Sequence, residues 1–210
     1  MERALIYPVS PEADVFVLAA KRPTARIDRY VWQQDYTPRG EAFLGCGEDR
    51  LRVCLTAWER TVRAEGSRRN DMVYLDSCLE FFFRPREDRP AYFNFEVNPH
   101  GTLYVGFSPD GTREGSRPIP DAPSNAELGM TARLCLSEEG ESFWQVAYDV
   151  PYAFIRRFVP EFVPEGVLYA NFYKCGDGTE HPHWGSWSPI ETPAPDFHRP
   201  EFFGRLEFAK

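Results

Sequence analysis

The sequence lacks the motifs that announce common enzyme classes. It has no CxxC pair, no glycine-rich phosphate loop and no GxSxG nucleophile turn. Redox dithiol, nucleotide-dependent and serine-hydrolase chemistry therefore have no sequence support. No apolar run reaches the roughly 20 residues that a membrane helix needs. The segment MERALIYPVSPEADVF has no apolar h-region, so no signal peptide is expected and a cytoplasmic location is favoured. Basic residues are in deficit, 24 against 32 acidic, giving a formal charge of -8. That balance argues against nucleic acid and anionic membranes as partners. The five cysteines, Cys46, Cys54, Cys78, Cys135 and Cys175, are odd in number and read as buried reduced thiols. Helical periodicity is nearly absent. Only PYAFIRRF (151–158), which starts on proline, reads as a short helix.

Turn formers and aromatics are plentiful: 19 Pro, 15 Gly and 15% Phe, Trp and Tyr in 210 residues. This composition suits one all-β domain with many turns and aromatics to spare for a ligand. Several segments alternate with period two, the signature of half-buried strands. In RLRVCLTAW, Leu51, Val53, Leu55 and Ala57 share a face. In DSCLEFFF, Leu79, Phe81 and Phe83 alternate with Cys78, Glu80 and Phe82. In AYFNFEVN, Phe93, Phe95 and Val97 alternate with Tyr92, Asn94, Glu96 and Asn98. NPHG then turns the chain into TLYVGF, so residues 91–107 form a hairpin. Met130–Ser137 and Ser142–Val150 flank a second turn, EEGE; VLYANFYKC and EFFGRLEF complete the set. The expected fold is an antiparallel, jelly-roll-like β-sandwich with one short helix. Residues 108–127 read as a polar surface loop, and residues 176–200 as an ordered, aromatic-rich loop.

Two clusters could carry function. Glu80, Asn94 and Glu96 lie mid-strand on the polar face, where a carboxylate must be either solvated or ligated. HPHWGSWSPI adds His181, His183, Trp184 and Trp187. Flat indoles can stack on sugar rings while nearby carboxylates and amides bind hydroxyls, although one of the two tryptophans is expected to plug the core. His181 and His183 with His198 are a weaker candidate for a metal site, because Pro182 and the loop context disfavour fixed geometry. Glu80 and Glu96 could also serve as a glycosidase acid/base pair, the basis of an enzymatic alternative. DGTRE (110–114) and EEGE (138–141) could offer oxygens to calcium, but read more simply as turns.

YLDSCLEFFFRP, YFNFEVNPHGTLYVGF, YANFYKCGD, PHWGSWSPI and FHRPEFFGRLEF occur in the order in which the family-9-like carbohydrate-binding domains of bacteria, β-sandwiches related to DOMON domains, carry similar blocks. The resemblance implies a non-catalytic sandwich that binds a mono- or oligosaccharide between two aromatics. It implies that Glu80 binds hydroxyls and that Tyr74 and Asn171 belong to the site. Lys174 stands near the second aromatic's place, so Trp184 or Trp187 would supply that ring. It also implies calcium as a structural ion in some relatives, with ligands left open here. Related sandwiches bind haem b through Met with His or Lys; Met72, Met130, His100, His181, His183 and Lys174 are the corresponding residue types. Neither the sugar nor the oligomeric state can be read from the sequence.

Overall fold

The computed structural model describes residues 1–32, 35–136 and 142–209. Its strands are β1 (Arg3–Pro8), β2 (Ala25–Ile27), β3 (Gly40–Cys46), β4 (Arg50–Ala57), β5 (Cys78–Arg84), β6 (Tyr92–Val97) and β7 (Leu103–Ser108). They continue as β8 (Arg117–Pro118), β9 (Thr131–Leu136), β10 (Ser142–Pro151), β11 (Val167–Cys175), β12 (Trp184–Ser186) and β13 (Gly204–Phe208). One layer runs β8-β7-β6-β5-β11-β13-β1 and the other β1-β3-β4-β10-β9. β2 hangs on β3 and β12 on β11.

The two layers face each other as a sandwich because their period-two apolar positions point inward. Leu79, Phe81, Phe83, Phe93 and Phe95 of one layer meet Leu44, Val53, Leu55, Trp144 and Tyr148 of the other in one buried cluster. Phe95 and Tyr148 stack across the interior with ring centroids 5.8 Å apart. Within the first layer Phe81 stacks on Phe83 at 4.8 Å and on Phe172 at 5.1 Å. Full burial of such rings contributes roughly 1.5–3 kcal/mol each before entropy is counted.

The β6–β7 hairpin forms as its sequence demands. Asn98 Oδ1 accepts from the backbone N–H groups of His100 and Thr102, both at 3.0 Å. Gly101 takes the left-handed φ of 77° that closes the turn.

Two features differ from the sequence expectation. β1 pairs in parallel with both β13 and β3, so the sheet system is mixed rather than purely antiparallel. There are also two α-helices among the described residues. Besides α2 (Tyr152–Phe158), α1 spans Val15–Lys21. Asp14 caps α1, its Oδ1 accepting from Phe16 N at 2.8 Å and Val17 N at 3.2 Å. Val15 and Ala19 then pack on Phe43, Cys54 and Ala147, on the outside of the second layer. Seven residues are too few for helical period to stand out, and only the cap betrays the helix. No helix among the described residues is long and apolar enough to cross a membrane.

Candidate functional site

A cleft of about 950 Å³ lies on the outer face of the first layer. Its floor is the polar face of β5 and β6. The register places Glu80 directly opposite Glu96 and Phe82 opposite Asn94. Directly opposed residues have Cβ atoms about 4.5–5.5 Å apart, so the two carboxyl groups are close neighbours. Both glutamates are buried, Glu80 at 2% and Glu96 at 7% exposure. Neither has an ion-pair partner among the described residues. Cys175 Sγ donates to Glu80 Oε1 at 3.0 Å. Asn94 Nδ2 donates to Glu96 Oε1 at 2.8 Å, and Ser116 Oγ donates to Asn94 Oδ1 at 3.3 Å.

The electrostatics follow from this burial. Loss of water pushes Glu80 well above the ordinary carboxylate range, and the neighbouring Cys175 and Glu96 charges add to the shift. Burial pushes Glu96 up to about 7, against the Asn94 hydrogen bond and the Arg113 charge, which both pull it down. Near neutral pH the floor thus holds carboxyl groups able to donate as well as accept.

The walls carry aromatic rings and charged edges. Tyr74 and Trp184 line the cleft, Trp184 held by its Nε1 donating to Asp177 Oδ1 at 2.8 Å. Trp32 lines it too, with Nε1 donating to Thr192 O at 2.7 Å. Arg113 reaches in from the 108–127 loop and pairs with Asp196 at 3.0 Å. His198 sits 2.7 Å from Tyr92 Oη, and burial with the Arg113 charge pulls it down to about 4.

Five of the sequence candidates, Tyr74, Glu80, Asn94, Glu96 and Trp184, therefore meet in one cleft. Three others do not line it, each for a physical reason. Lys174 alternates with Tyr173 and Cys175, so it points to the interior side of β11. There it is fully buried, ion-paired with Glu59 and hydrogen-bonded to Cys175 O at 2.6 Å and His183 Nε2 at 2.8 Å. Trp187 is the tryptophan that plugs the core. It packs 5.8 Å from Phe172, over Gly204, where a Cβ would come within 2.7 Å of the indole. Asn171 shares the outer parity but spends its amide on the following loop. Its Nδ2 donates to Ser188 O and its Oδ1 accepts from Ser188 N, both at 2.9 Å.

The metal and haem readings are narrowed in the same way. His183 is closed by Lys174 at Nε2 and by His181 O at Nδ1, 2.7 Å away. Burial and the Lys174 charge pull its pKa down to about 3. Met72 lines the cleft while Lys174 lies beneath β11, so these two cannot face each other across a haem. Asp110 Oδ1 is spent on its own loop, accepting from Thr112 N and Thr112 Oγ1 at 3.0 and 2.9 Å. EEGE lies outside the described residues. Among the described residues one set of three ligating side chains converges within 4.8 Å: Cys78, Glu80 and Cys175.

Trp32, Arg113, Asp177 and Asp196 escape the sequence reading, and His198, which the sequence offers only as a metal candidate, lines the cleft with them. Trp32 and Arg113 come from loops far from the 176–200 loop that carries Asp177, Asp196 and His198. The only signal available was the clustering of aromatics with charges inside otherwise polar loops.

Comparison with known proteins agrees with this architecture. A provisionally assigned carbohydrate-binding protein of Bacteroides uniformis ATCC 8492 superposes with TM-score 0.79 at 27% identity, covering 99% of both chains. A family-9 carbohydrate-binding module from Caldicellulosiruptor kristjanssonii, solved with glucose, matches at TM-score 0.65 and 13% identity, over 99% of this chain and 96% of the other. The cellotriose complex of a family-9 module from the same organism matches at 0.64 and 12%, over 99% and 93%. Curated proteins give no match. The model of the family described as "Carbohydrate-binding family 9" matches residues 12–208. With nearly the whole length matched and the sandwich in place, the chain belongs to carbohydrate-binding family 9.

Proposed function

We propose that the cleft binds a mono- or short oligosaccharide without transforming it. The observation that carries the reading is the pairing of two buried carboxyl groups, Glu80 and Glu96, with exposed and half-buried aromatic rings in the walls of the same cleft. Sugars present alternating hydroxyls and apolar C–H faces, and such a cleft meets both. Glu80 and Glu96 exchange hydrogen bonds with hydroxyls, and Asn94 fixes Glu96. Tyr74, at 38% exposure, and Trp184 offer faces for stacking. Relatives solved with glucose and cellotriose support this ligand class.

The test is calorimetric titration with glucose and cello-oligosaccharides, with calcium and with chelator, alongside assay for cleavage products. A neutral hydrogen bond contributes about 0.5–1.5 kcal/mol and an aromatic anchor about 2 kcal/mol or more, so Glu80→Gln is expected to weaken binding by roughly threefold to tenfold and Trp184→Ala by about tenfold or more. Unchanged affinity in both variants, with the fold intact, would overturn the assignment. Release of reducing ends would move the pair Glu80 and Glu96 from binding to catalysis.

A further inference from the structure

We propose that Cys78, Cys175 and Glu80 form a site for a soft divalent cation of the zinc class, set in the cleft floor with one coordination position open to the cleft. The geometry comes from strand register. Cys78 of β5 lies directly opposite Cys175 of β11, and Glu80 follows Cys78 by two residues on the same face. Both Sγ atoms and a Glu80 carboxylate oxygen lie within 4.8 Å of one another, Cys175 Sγ and Glu80 Oε1 only 3.0 Å apart. A tetrahedral zinc ion with two sulfurs at about 2.3 Å and an oxygen at about 2.1 Å keeps its ligands some 3.5–3.8 Å apart. All three residues sit within paired strands, so closing from within 4.8 Å to that spacing falls to their side-chain torsions.

The surroundings fit a three-ligand site with one side open. Cys175 and Glu80 line the cleft, whereas fully buried Cys78 closes the site from behind. Two thiolates select a soft ion such as zinc and reject calcium and magnesium. Among the described residues the floor also has no cation of its own. Lys174 lies on the other side of β11 and is engaged by Glu59, and Arg113 is engaged by Asp196. Coordination releases protons to solvent: the two thiols and the Glu80 carboxyl give theirs up, the dication takes up both thiolates and the carboxylate to leave one net negative charge, and water or a sugar hydroxyl takes the fourth position. The site shares Glu80 with the proposed sugar cleft but does not require that a sugar bind.

The test uses metal-free protein purified under a non-chelating phosphine reductant and titrated with Co²⁺. The expected result is a sulfur-to-cobalt charge-transfer band with tetrahedral visible bands, saturating at one equivalent and lost on adding Zn²⁺. Cys78→Ser and Cys175→Ser are each expected to weaken Co²⁺ binding at least 100-fold. The variant Cys46→Ser/Cys54→Ala/Cys135→Ser is expected to keep it. Should a cysteine variant not fold, Zn²⁺ protection of Cys78 and Cys175 from alkylation in the unmodified chain gives the same answer. Absence of the charge-transfer band, its survival in both serine variants, or a native disulfide between Cys78 and Cys175 would overturn the proposal. Sugar titration of the metal-free protein keeps the two readings apart. Sugar binding without a cobalt site refutes only the metal, and a cobalt site without sugar binding refutes only the sugar.

Discussion

Cutting the ion pair of Lys174 and Glu59 is expected to damage stability and leave the ligand cleft untouched. Both side chains are essentially without solvent, at 0% and 1% exposure. Glu59 is further held by Ser77 Oγ, which donates to Oε2 at 2.5 Å. Glu59→Ala leaves the ammonium with only Cys175 O and His183 Nε2 for partners. An uncompensated buried charge of this kind costs about 3–5 kcal/mol. In a chain of this size each kcal/mol lowers Tm by about 2–4 °C, so a loss of about 10 °C is expected. Lys174→Met should cost a similar amount by stranding the carboxylate. The double variant Glu59→Ala/Lys174→Met removes both charges and should be clearly more stable than the sum of the single losses predicts. Urea unfolding of all four proteins gives the cycle directly, and sugar affinity of Lys174→Met should stay within about twofold of the parent. A cost below about 1 kcal/mol for Glu59→Ala would refute the stability argument. Loss of sugar binding by a well-folded Lys174→Met would refute its placement outside the site.

Further outcomes follow from the same geometry. Trp187→Ala should cost about 3–5 kcal/mol in denaturant unfolding, because the ring fills the space over Gly204; a neutral change would mean that the indole is not a core element. A Cβ on Gly106 would come within 2.4 Å of Asn94 Oδ1, so Gly106→Ala should displace Asn94 and weaken sugar binding by about tenfold in titration. Glu96, raised from 4.5 to about 7 by burial, binds its proton more tightly folded than unfolded. Its contribution to stability is therefore greatest below about pH 4.5 and falls as pH rises to about 7. Glu96→Gln should gain on the parent between pH 5 and pH 8, by up to about 3 kcal/mol at 1.36 kcal/mol per pH unit. Comparison with Glu96→Gln cancels the opposite trend of His198, pulled down to about 4, and parallel Tm profiles would refute the burial cost.

The sequence carries the sandwich because period two survives wherever one strand face is buried and the other is not. The β5, β6 and β7 faces are legible for that reason, and with them the floor residues Glu80, Asn94 and Glu96. The same alternation also places Lys174, which shares parity with Leu168, Ala170 and Phe172 of β11; the family pattern pulled it toward the cleft against its own register. Asn171 shows the limit of parity, since only the tertiary contact with Ser188 decides how its amide is used. Tyr74 and Trp184 were legible in the cleft walls, but the convergence of Trp32, Arg113 and His198 was not, because they meet only after three distant loops fold over one sheet. The approach of Cys78 to Cys175 requires knowing which strands are neighbours, and residue spacing does not supply that.

β1 has a bearing on how the protein is made. Its first half pairs Arg3 with Arg205 and Ile6 with Phe208, while its end pairs Tyr7 and Pro8 with Gly45 and Cys46. One short strand thus seams the two layers together using partners from opposite ends of the chain. The loop that this pairing closes is nearly as long as the chain itself, so its entropic cost falls late and its contacts form slowly. On the ribosome β3 is available to β1 early, but β13 emerges after every other strand of the sandwich. Until then β11, the central strand that carries Cys175, has an unpaired edge where Leu168 and Ala170 later meet Leu206 and Gly204. An open edge of apolar residues is where a growing sheet is most exposed to wrong partners. The final strand of the sandwich is therefore the one that makes the layer with the cleft safe from aggregation.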